Sequence, residues 1–240
     1  MIDYNFKTGL GTSSLFDYRI FHGFGTKHLG NGTNIQTIEQ LIQLSSVEPK
    51  HLVIPNQTHS TNVKIVNEHI LEKRIIRIPE TDALVTNQKN ILLTVVTADC
   101  VPIIYADIDR SVIAISHGGW SGTLHNISRK VIDQMIEIGA QKEQIVAVIG
   151  PSIADCCYEI YGARYDKFKD EFTAKSITSS GSRQYLNLLH ANRELLLMSG
   201  ISEKNIDYRL NCTQCDDTRF WSFHRDHRLT GEMVHFVMLT

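Results

Sequence analysis

Two residues with reactive side chains, Cys100 and His117, each follow or end a predicted strand in this sequence. Cys100 comes after a short apolar run rich in β-branched residues, and His117 comes just before a glycine-rich turn. If the two strand ends are neighbours, the thiol and the imidazole can meet, as metal ligands or as a Cys–His nucleophile pair. A third interpretation makes Cys100 a small buried hydrophobe and His117 a structural histidine of the turn. Sequence spacing does not choose among the three.

A further histidine, His59, lies in a polar segment just after a short apolar run and Pro55. A histidine with no local partner is more often structural or exposed than a ligand. However, two histidines and one cysteine gathered from distant strand ends would suit a catalytic zinc ion, which keeps its fourth position open for water or substrate.

The C-terminal part of the chain offers a competing set of ligands, namely Cys212 and Cys215 followed by His224 and His227. Two cysteines separated by two residues are a recognised zinc spacing. The gap to His224 and the gap between the two histidines are both shorter than in zinc fingers, which argues against this set. A CxxC redox role is no better supported, because no thioredoxin-like βαβ pattern surrounds the cysteines.

The glycine-rich turn over residues 118–122 matches neither of the common nucleotide-binding loops. Its backbone N–H groups at the start of a helix can still hold an anion. The alternative is that these glycines only make a tight turn.

The elements that must position these residues are predicted from hydrophobic periodicity. We expect strands over residues 91–98, 101–106 and 111–116, with a hairpin around the acidic turn 107–110. After the glycine turn, apolar positions at helical spacing over 124–138 predict a helix that ends at Gly139. A strand over 145–149 follows, and the crossover is right-handed if the strands are parallel neighbours.

The rest of the chain reads as helices over 161–175 and 186–198, a mobile loop over 178–184 and a terminal strand over 234–239. With no internal repeat and no long linker, we expect a single domain over residues 1–240. Its fold class is α+β, with mixed β-sheets and helices packed outside them.

Composition excludes several classes of function. Of 240 residues, 42% are hydrophobic and 21% are charged, which is typical of globular proteins, and the formal net charge of -2 gives no attraction to nucleic acid or anionic membrane. We therefore expect a small-molecule partner and neither nucleic acid nor membrane. No signal peptide or spanning segment is seen, which predicts a cytoplasmic protein. The odd count of 5 cysteines predicts reduced thiols.

Several motifs occur in order along the chain and together resemble the YfiH-like family, variously called laccase-domain polyphenol oxidases, peptidoglycan editing factors and purine nucleoside phosphorylases. They extend to both ends of the sequence, and are HGFGTK (22–27), TDALVTN (81–87), TADCVPI (97–103), HGGWSGT (117–123), GPSI (150–153), YEI (158–160), FHRD (223–226) and TGEM (230–233).

The resemblance implies a single zinc ion bound by His59, Cys100 and His117, with Cys100 and His117 taking part in catalysis and copper as the alternative metal. It leaves a structural role for Cys212 and Cys215. The implied activities are transferase and hydrolase reactions: phosphorolysis of adenosine, inosine and methylthioadenosine, and deamination of adenosine. The implied fold is a mixed α+β arrangement, and the oligomeric state stays open.

For the nucleoside and phosphate, the sequence offers further candidates. Lys27 is the expected cation for phosphate, Gln57 is expected to position substrate, and Asp99 is a candidate to orient a metal ligand. The family commonly has arginine where this chain has Ser121, so one positive charge beside the site is missing.

Three alternatives to this function remain. A metal-free cysteine hydrolase would use Cys100 as nucleophile and His117 as base on peptidoglycan precursors. A copper-dependent polyphenol oxidase would use the same ligand set, although the sequence lacks the many paired histidines of a multicopper cluster. A non-enzymatic protein stabilised by a metal ion is the last.

Overall fold

Two mixed β-sheets stacked face to face form the centre of the protein. The computed structural model describes residues 2–5, 8–45, 47–227 and 230–240. The first sheet has seven strands, in the spatial order β1 (Ile2–Asn5), β2 (Leu10–Ser13), β3 (Ile20–Gly25), β16 (Met233–Leu239), β8 (Ile91–Thr97), β4 (His51–Pro55) and β6 (Ile75–Ile78).

The second large sheet has six strands and carries most of the chemistry-bearing residues. Its spatial order is β15 (Ile206–Tyr208), β11 (Val146–Ile149), β9 (Val101–Asp107), β10 (Val112–Gly118), β7 (Ala83–Thr86) and β5 (Val63–Ile65). A small antiparallel sheet follows the order β12 (Glu159–Ile160), β14 (Arg183–Leu186) and β13 (Ile177–Ser180).

Helices cover the outer faces of the two large sheets. The described helices are α1 (Ile35–Leu44), α2 (Trp120–Leu124), α3 (Ile127–Glu137), α4 (Ala163–Glu171), α5 (Leu188–Met198) and α6 (Phe223–Asp226). The fold is therefore α+β with mixed sheets and outer helices, as the sequence predicted. In the described parts of the chain, no helix is long and apolar enough to cross a bilayer.

Alternation along the central strands explains the layering, because successive side chains of a strand point to opposite faces. In β9, Ile104 faces the first sheet, whereas Ile103 and Tyr105 face α3 and α5. In β16, Val237 faces the second sheet and Phe236 packs with α1. Both faces of these strands are buried, which is why they read as continuous apolar runs.

The β9–β10 hairpin is confirmed, and so is the helix that follows the glycine turn. The helix is α3, which follows Asn126 at a φ of +54° and is followed by Gly139 at a φ of +111°; the short α2 before it is a separate helix. The strand β11 follows this helix as predicted, but it is not a neighbour of β10. Both strands pair antiparallel with β9, which lies between them, so β10 and β11 run parallel without pairing.

The prediction of a mobile loop over residues 178–184 is wrong. This segment forms most of the β13–β14 hairpin, whose turn contains Gly181 at a φ of +60°. Its polar composition misled the prediction, since an exposed antiparallel pair needs few apolar side chains when a glycine supplies the turn. The helices expected over 161–175 and 186–198 are present but shorter, as α4 and α5.

Candidate metal centre

The structure brings His59, Cys100 and His117 together at one end of the second large sheet. Their ligand atoms all lie within 4.8 Å of one another. His59 Nε2 is 3.7 Å from Cys100 Sγ, and the two imidazole rings meet edge to face with centroids 4.8 Å apart. We call this group the histidine–cysteine centre.

Strand register places two of the three ligands. In the β9–β10 hairpin, His117 is opposite Pro102 and Gly118 is opposite Val101. Cys100 directly precedes β9, so its thiol lies beside the end of β10. The hairpin thus brings side chains that are distant in sequence to one sheet edge.

A buried carboxylate, Asp82, holds both histidines of the centre in place. Its Oδ1 is 2.8 Å from His117 Nδ1 and accepts the backbone N–H of His59 at 3.1 Å. Its Oδ2 accepts the N–H and hydroxyl of Ser60 and the N–H of Thr58, at 2.6 to 3.2 Å. Because Asp82 occupies Nδ1 of His117, Nε2 is the nitrogen left for a metal ion. His59 itself has a φ of 59°, a strained conformation that these bonds support.

The charges of the centre interact strongly. Burial by itself raises the pKa of Cys100, but the positive charge of His117 and hydrogen bonds from both histidines outweigh it and lower this pKa to about 7. Burial lowers the pKa of His117, yet the Cys100 thiolate and the bond to Asp82 raise it to about 10. A thiolate at neutral pH is the form that binds metal or attacks substrate.

Gly119 provides the space that the centre occupies. A Cβ atom at this position would lie 2.8 Å from His59 Cδ2 and 3.2 Å from Cys100 Sγ. Its φ is an ordinary -69°, so the glycine is required by close approach and not by backbone conformation. A thiolate and two imidazoles around such a cradle fit zinc, which takes nitrogen and sulfur ligands and uses three protein ligands in catalytic sites.

The centre opens into a cavity of about 550 Å³. This volume lies within the range typical of small-molecule sites. The wall includes aromatic, cationic and acidic side chains besides the centre itself, among them Trp120, Tyr158, Arg164, Phe223, His224 and Glu232. The arrangement can therefore bind a compound that is part aromatic and part anionic.

Comparison with known proteins identifies the family. Residues 30–240 match the family described as multi-copper polyphenol oxidoreductase laccase. The chain belongs to this family. Its resemblance to YfiH-like proteins, inferred from the motifs, is thereby confirmed.

Two curated relatives of this laccase-type family carry enzyme names. Adenosine deaminase RL5, from an unknown prokaryotic organism, is 34% identical over 75% of this chain and 71% of its own length. Purine nucleoside phosphorylase YlmD of Bacillus subtilis (strain 168) is 30% identical over 85% of this chain and 76% of its own. The relatives point to an enzyme that acts on a small molecule.

A solved structure supports the fold. The crystal structure of Bacillus licheniformis hypothetical protein YfiH superposes with a TM-score of 0.83 at 28% identity, covering 92% of this chain and 93% of that one. The α+β fold of the laccase-type family is therefore shared.

Arg164 and Glu232 line the cavity and were missed by sequence reasoning. The guanidinium of Arg164 lies over the Trp120 ring, 4.4 Å from its centroid, and Nη1 donates to the Tyr158 hydroxyl at 3.4 Å. It is the only lysine or arginine among the described residues of the cavity wall. Burial raises the pKa of Glu232, although His117 and His59 oppose the shift. Glu232 belongs to the TGEM motif (230–233), which could have indicated it, whereas Arg164 lies in none of the quoted motifs.

The two residues predicted to bind substrate, Gln57 and Lys27, line different cavities. Gln57 lines the cavity, but its amide is bonded in both directions to the backbone of Val96 at 2.8 Å. Lys27 lies in a second cavity, where Nζ donates to the carbonyl of Asp217 and approaches the Trp221 ring. Contact of Lys27 with substrate in the main cavity is therefore unsupported, and Arg164 is the better placed cation.

The hydrogen bonds of the Asp99 carboxylate go to the C-terminal loop and not to the three potential metal ligands. Its carboxylate accepts the hydroxyls of Thr213 and Ser222 at 2.6 and 3.0 Å and the backbone N–H of His224 at 2.7 Å. Asp99 thus holds the C-terminal loop beside Cys100, while the carboxylate that contacts a histidine of the centre is Asp82.

The competing ligand set of Cys212, Cys215, His224 and His227 is not assembled. Among the described residues, Cys212 and Cys215 group with Cys156 and Cys157. His224 instead packs its ring against Tyr158 in the cavity wall.

Proposed function

We propose that this chain is a zinc-dependent purine nucleoside phosphorylase that also deaminates adenosine. The observation that carries the proposal is the convergence of His59, Cys100 and His117 beside a cavity whose wall also holds Arg164. The names of the relatives support the nucleoside substrates. A cytosolic location and one domain over residues 1–240 belong to the same proposal.

The histidine–cysteine centre would hold the zinc ion through Cys100 Sγ and one nitrogen of each histidine. When bound, zinc polarises a substrate atom and makes water more acidic. Asp82 keeps His117 in the tautomer that leaves Nε2 free, and its bonds to the 58–60 backbone keep His59 in position.

In phosphorolysis, a phosphate oxygen forms a bond to C1′ of the ribose while the bond from C1′ to the purine nitrogen breaks. The purine leaves with that electron pair and takes up a proton. Arg164 binds the phosphate dianion, since its guanidinium faces the cavity and can make two parallel hydrogen bonds. Trp120 and Tyr158 hold that guanidinium in place.

Glu232 supplies the proton that the leaving purine needs. It lines the cavity, and burial raises the pKa of its carboxyl group, which favours the protonated form. In deamination, water adds at C6 of adenosine and ammonia leaves, and Glu232 moves the proton between them. A glutamate near a Cys/His zinc site serves this purpose in nucleobase deaminases.

A second candidate is a metal-free cysteine hydrolase acting on peptidoglycan precursors. The line from Cys100 through His117 to Asp82 favours it, because a thiol, an imidazole and a carboxylate in this order can activate a nucleophile. Copper-dependent phenol oxidation is less well supported. The described residues form two groups of potential metal ligands, and only one of them contains histidine, which is too few for a multicopper cluster.

The test pairs metal analysis with nucleoside turnover. Protein purified without added metal is assayed with inosine and adenosine, with and without phosphate. We expect phosphate-dependent release of free base, ammonia from adenosine, and loss of both activities on chelation with recovery on adding zinc. Activity that survives chelation but is lost on thiol alkylation would support the cysteine hydrolase instead. Recovery with copper alone, together with phenol oxidation, would support the oxidase.

A further inference from the structure

Four cysteines outside the cavity form a second group of potential metal ligands. Cys156 and Cys157 lie in the turn before β12, and Cys212 and Cys215 lie in the loop after β15. Their four sulfur atoms are all within 4.8 Å of one another. Cys215 Sγ is 3.4 Å from that of Cys156 and 3.3 Å from that of Cys157. We call this group the four-cysteine cluster.

The four thiols are free, with no disulfide among them. The shortest separations far exceed the roughly 2.05 Å of a sulfur–sulfur bond. In a tetrahedral zinc site with zinc–sulfur bonds of about 2.3 Å, neighbouring sulfurs are about 3.8 Å apart. The spacing in the four-cysteine cluster is close to that value.

Backbone contacts join the two loops independently of any metal. Ser152 pairs with Cys212 as a parallel bridge. The N–H of Ser152 donates to the carbonyl of Asn211 at 3.3 Å, and the N–H of Thr213 donates to the carbonyl of Ser152 at 3.1 Å. The sulfurs therefore meet because the main chain is already in register, and little ordering is needed on binding.

Part of the four-cysteine cluster is open to solvent. Cys156 and Cys215 are exposed, which gives an ion a path into the cluster.

We propose that Cys156, Cys157, Cys212 and Cys215 bind a structural zinc ion, separate from the histidine–cysteine centre. Four cysteine ligands complete a closed tetrahedral set, which leaves no position for water or substrate. Zinc is the metal that such a set takes in a protein with no redox requirement at the site.

The position of the four-cysteine cluster indicates that the ion would stabilise the cavity wall. The loop that carries Cys156 and Cys157 also supplies Ile153 and Tyr158 to the cavity wall. On the other loop, Thr213 bonds to Asp99, the residue next to Cys100. A zinc ion at the cluster therefore fastens together two walls of the cavity without touching its contents.

The test measures the number of zinc ions bound per chain. The full chain is purified without chelators and kept anaerobic. We expect wild type to hold two zinc ions, and His59→Ala and Cys215→Ser to hold one each. In His59→Ala, the remaining ion should show four sulfur neighbours at about 2.3 Å by X-ray absorption. Cobalt substitution of that variant should give the strong thiolate charge-transfer bands of a tetrahedral sulfur site.

Other results would overturn the proposal. One zinc ion in wild type that is lost in His59→Ala means that the four-cysteine cluster is empty. A disulfide between the two loops in the anaerobic protein, seen as the loss of hydrogens in the intact mass, means that the cluster is a redox pair. If Cys215→Ser does not fold, the absorption spectrum of His59→Ala still decides the question. The test measures no nucleoside turnover. The proposal of a zinc ion at the four-cysteine cluster therefore holds even if the proposed enzymatic function is wrong.

Discussion

The histidine–cysteine centre and the four-cysteine cluster are both groups of potential metal ligands, but they lie in opposite settings. The centre has three potential ligands beside a cavity of about 550 Å³: Cys100 and His117 at the ends of central strands of the second sheet, and His59 in the loop between β4 and β5. The cluster has four ligands from two surface turns, two of them exposed. An open coordination position next to a cavity suits catalysis, whereas a closed set between loops suits stability.

The difference between the two groups is also visible in what surrounds the ligands. Around the centre, Asp82 orients His117, and His59 sits in a strained conformation. Around the cluster, the supporting contacts are ordinary backbone hydrogen bonds between loops. Backbone strain and a buried carboxylate both destabilise a fold, and proteins retain such features at functional sites. We therefore expect variants of the centre to affect turnover and variants of the cluster to affect stability.

The largest expected effect is that of Cys100→Ala, which removes one ligand from the centre. Zinc content should fall by one ion per chain, and kcat/KM for inosine should fall by about 10²- to 10⁴-fold, the range for a directly acting group. Cys215→Ser is the contrasting variant, with a lower Tm and an unchanged kcat. Full turnover in Cys100→Ala would refute the assignment of the centre.

Asp82→Asn should weaken the centre without touching the cluster. Because the amide cannot replace the carboxylate at His117 and at the 58–60 backbone, we expect zinc affinity at the centre to fall about 10- to 100-fold. The free energy of unfolding should also fall, by about 3 kcal/mol. Competition with a chromogenic chelator measures the first quantity and urea denaturation the second.

Asp107→Asn is the matched control for this change. Asp107 is equally buried, and it accepts the backbone N–H groups of Arg110 and Gln141 far from the ligands. This variant should lose stability and keep its zinc affinity. If Asp82→Asn and Asp107→Asn bind zinc with equal affinity, Asp82 contributes to the stability of the fold and not to zinc binding.

Gly119→Ala tests the cradle by adding one methyl group. The new Cβ would meet His59 and Cys100, and overpacking of this kind costs about 2 kcal/mol, or about 30-fold in zinc affinity. Ser121→Ala, in the same turn, should bind zinc as wild type does. An unchanged affinity in Gly119→Ala would show that the ligands move apart freely.

The smallest effect is expected at the cavity wall. Arg164→Gln should raise KM for phosphate about tenfold, which corresponds to about 1.5 kcal/mol for a hydrogen bond to a charged group. Zinc content should stay at the wild-type level. Arg129→Gln, which only breaks an exposed pair with Asp133, should change neither quantity. An unchanged KM for phosphate would show that Arg164 does not bind the phosphate.

Much of the fold could be predicted from the sequence because its strands are buried on both faces. The run over 91–98, the hairpin over 101–116 and the terminal strand are continuous apolar segments, and such segments have few alternatives. The β13–β14 hairpin was missed because its strands are polar and exposed. The pairing of β11 was left open because partner choice depends on contacts between distant segments.

The functional residues divide in the same way. Cys100 and His117 follow or end recognisable strands, so their positions at a sheet edge could be expected. Arg164 lies on α4, and nothing in the local sequence shows that this helix faces the cavity. Lys27 carries the right charge but lies in another cavity, because charge alone does not fix direction.

The sequence by itself determined the fold class and the family, since each depends on local pattern or on ordered motifs, and the family resemblance predicted His59, Cys100 and His117 as metal ligands. Only the tertiary structure decided that Asp82 orients His117, that Gly119 leaves room for the ligands and that four cysteines from two loops meet. The physical reason is that these contacts come from strand register and loop pairing across long sequence separations. Side-chain chemistry can be read along the chain, but convergence in space depends on how the whole chain packs.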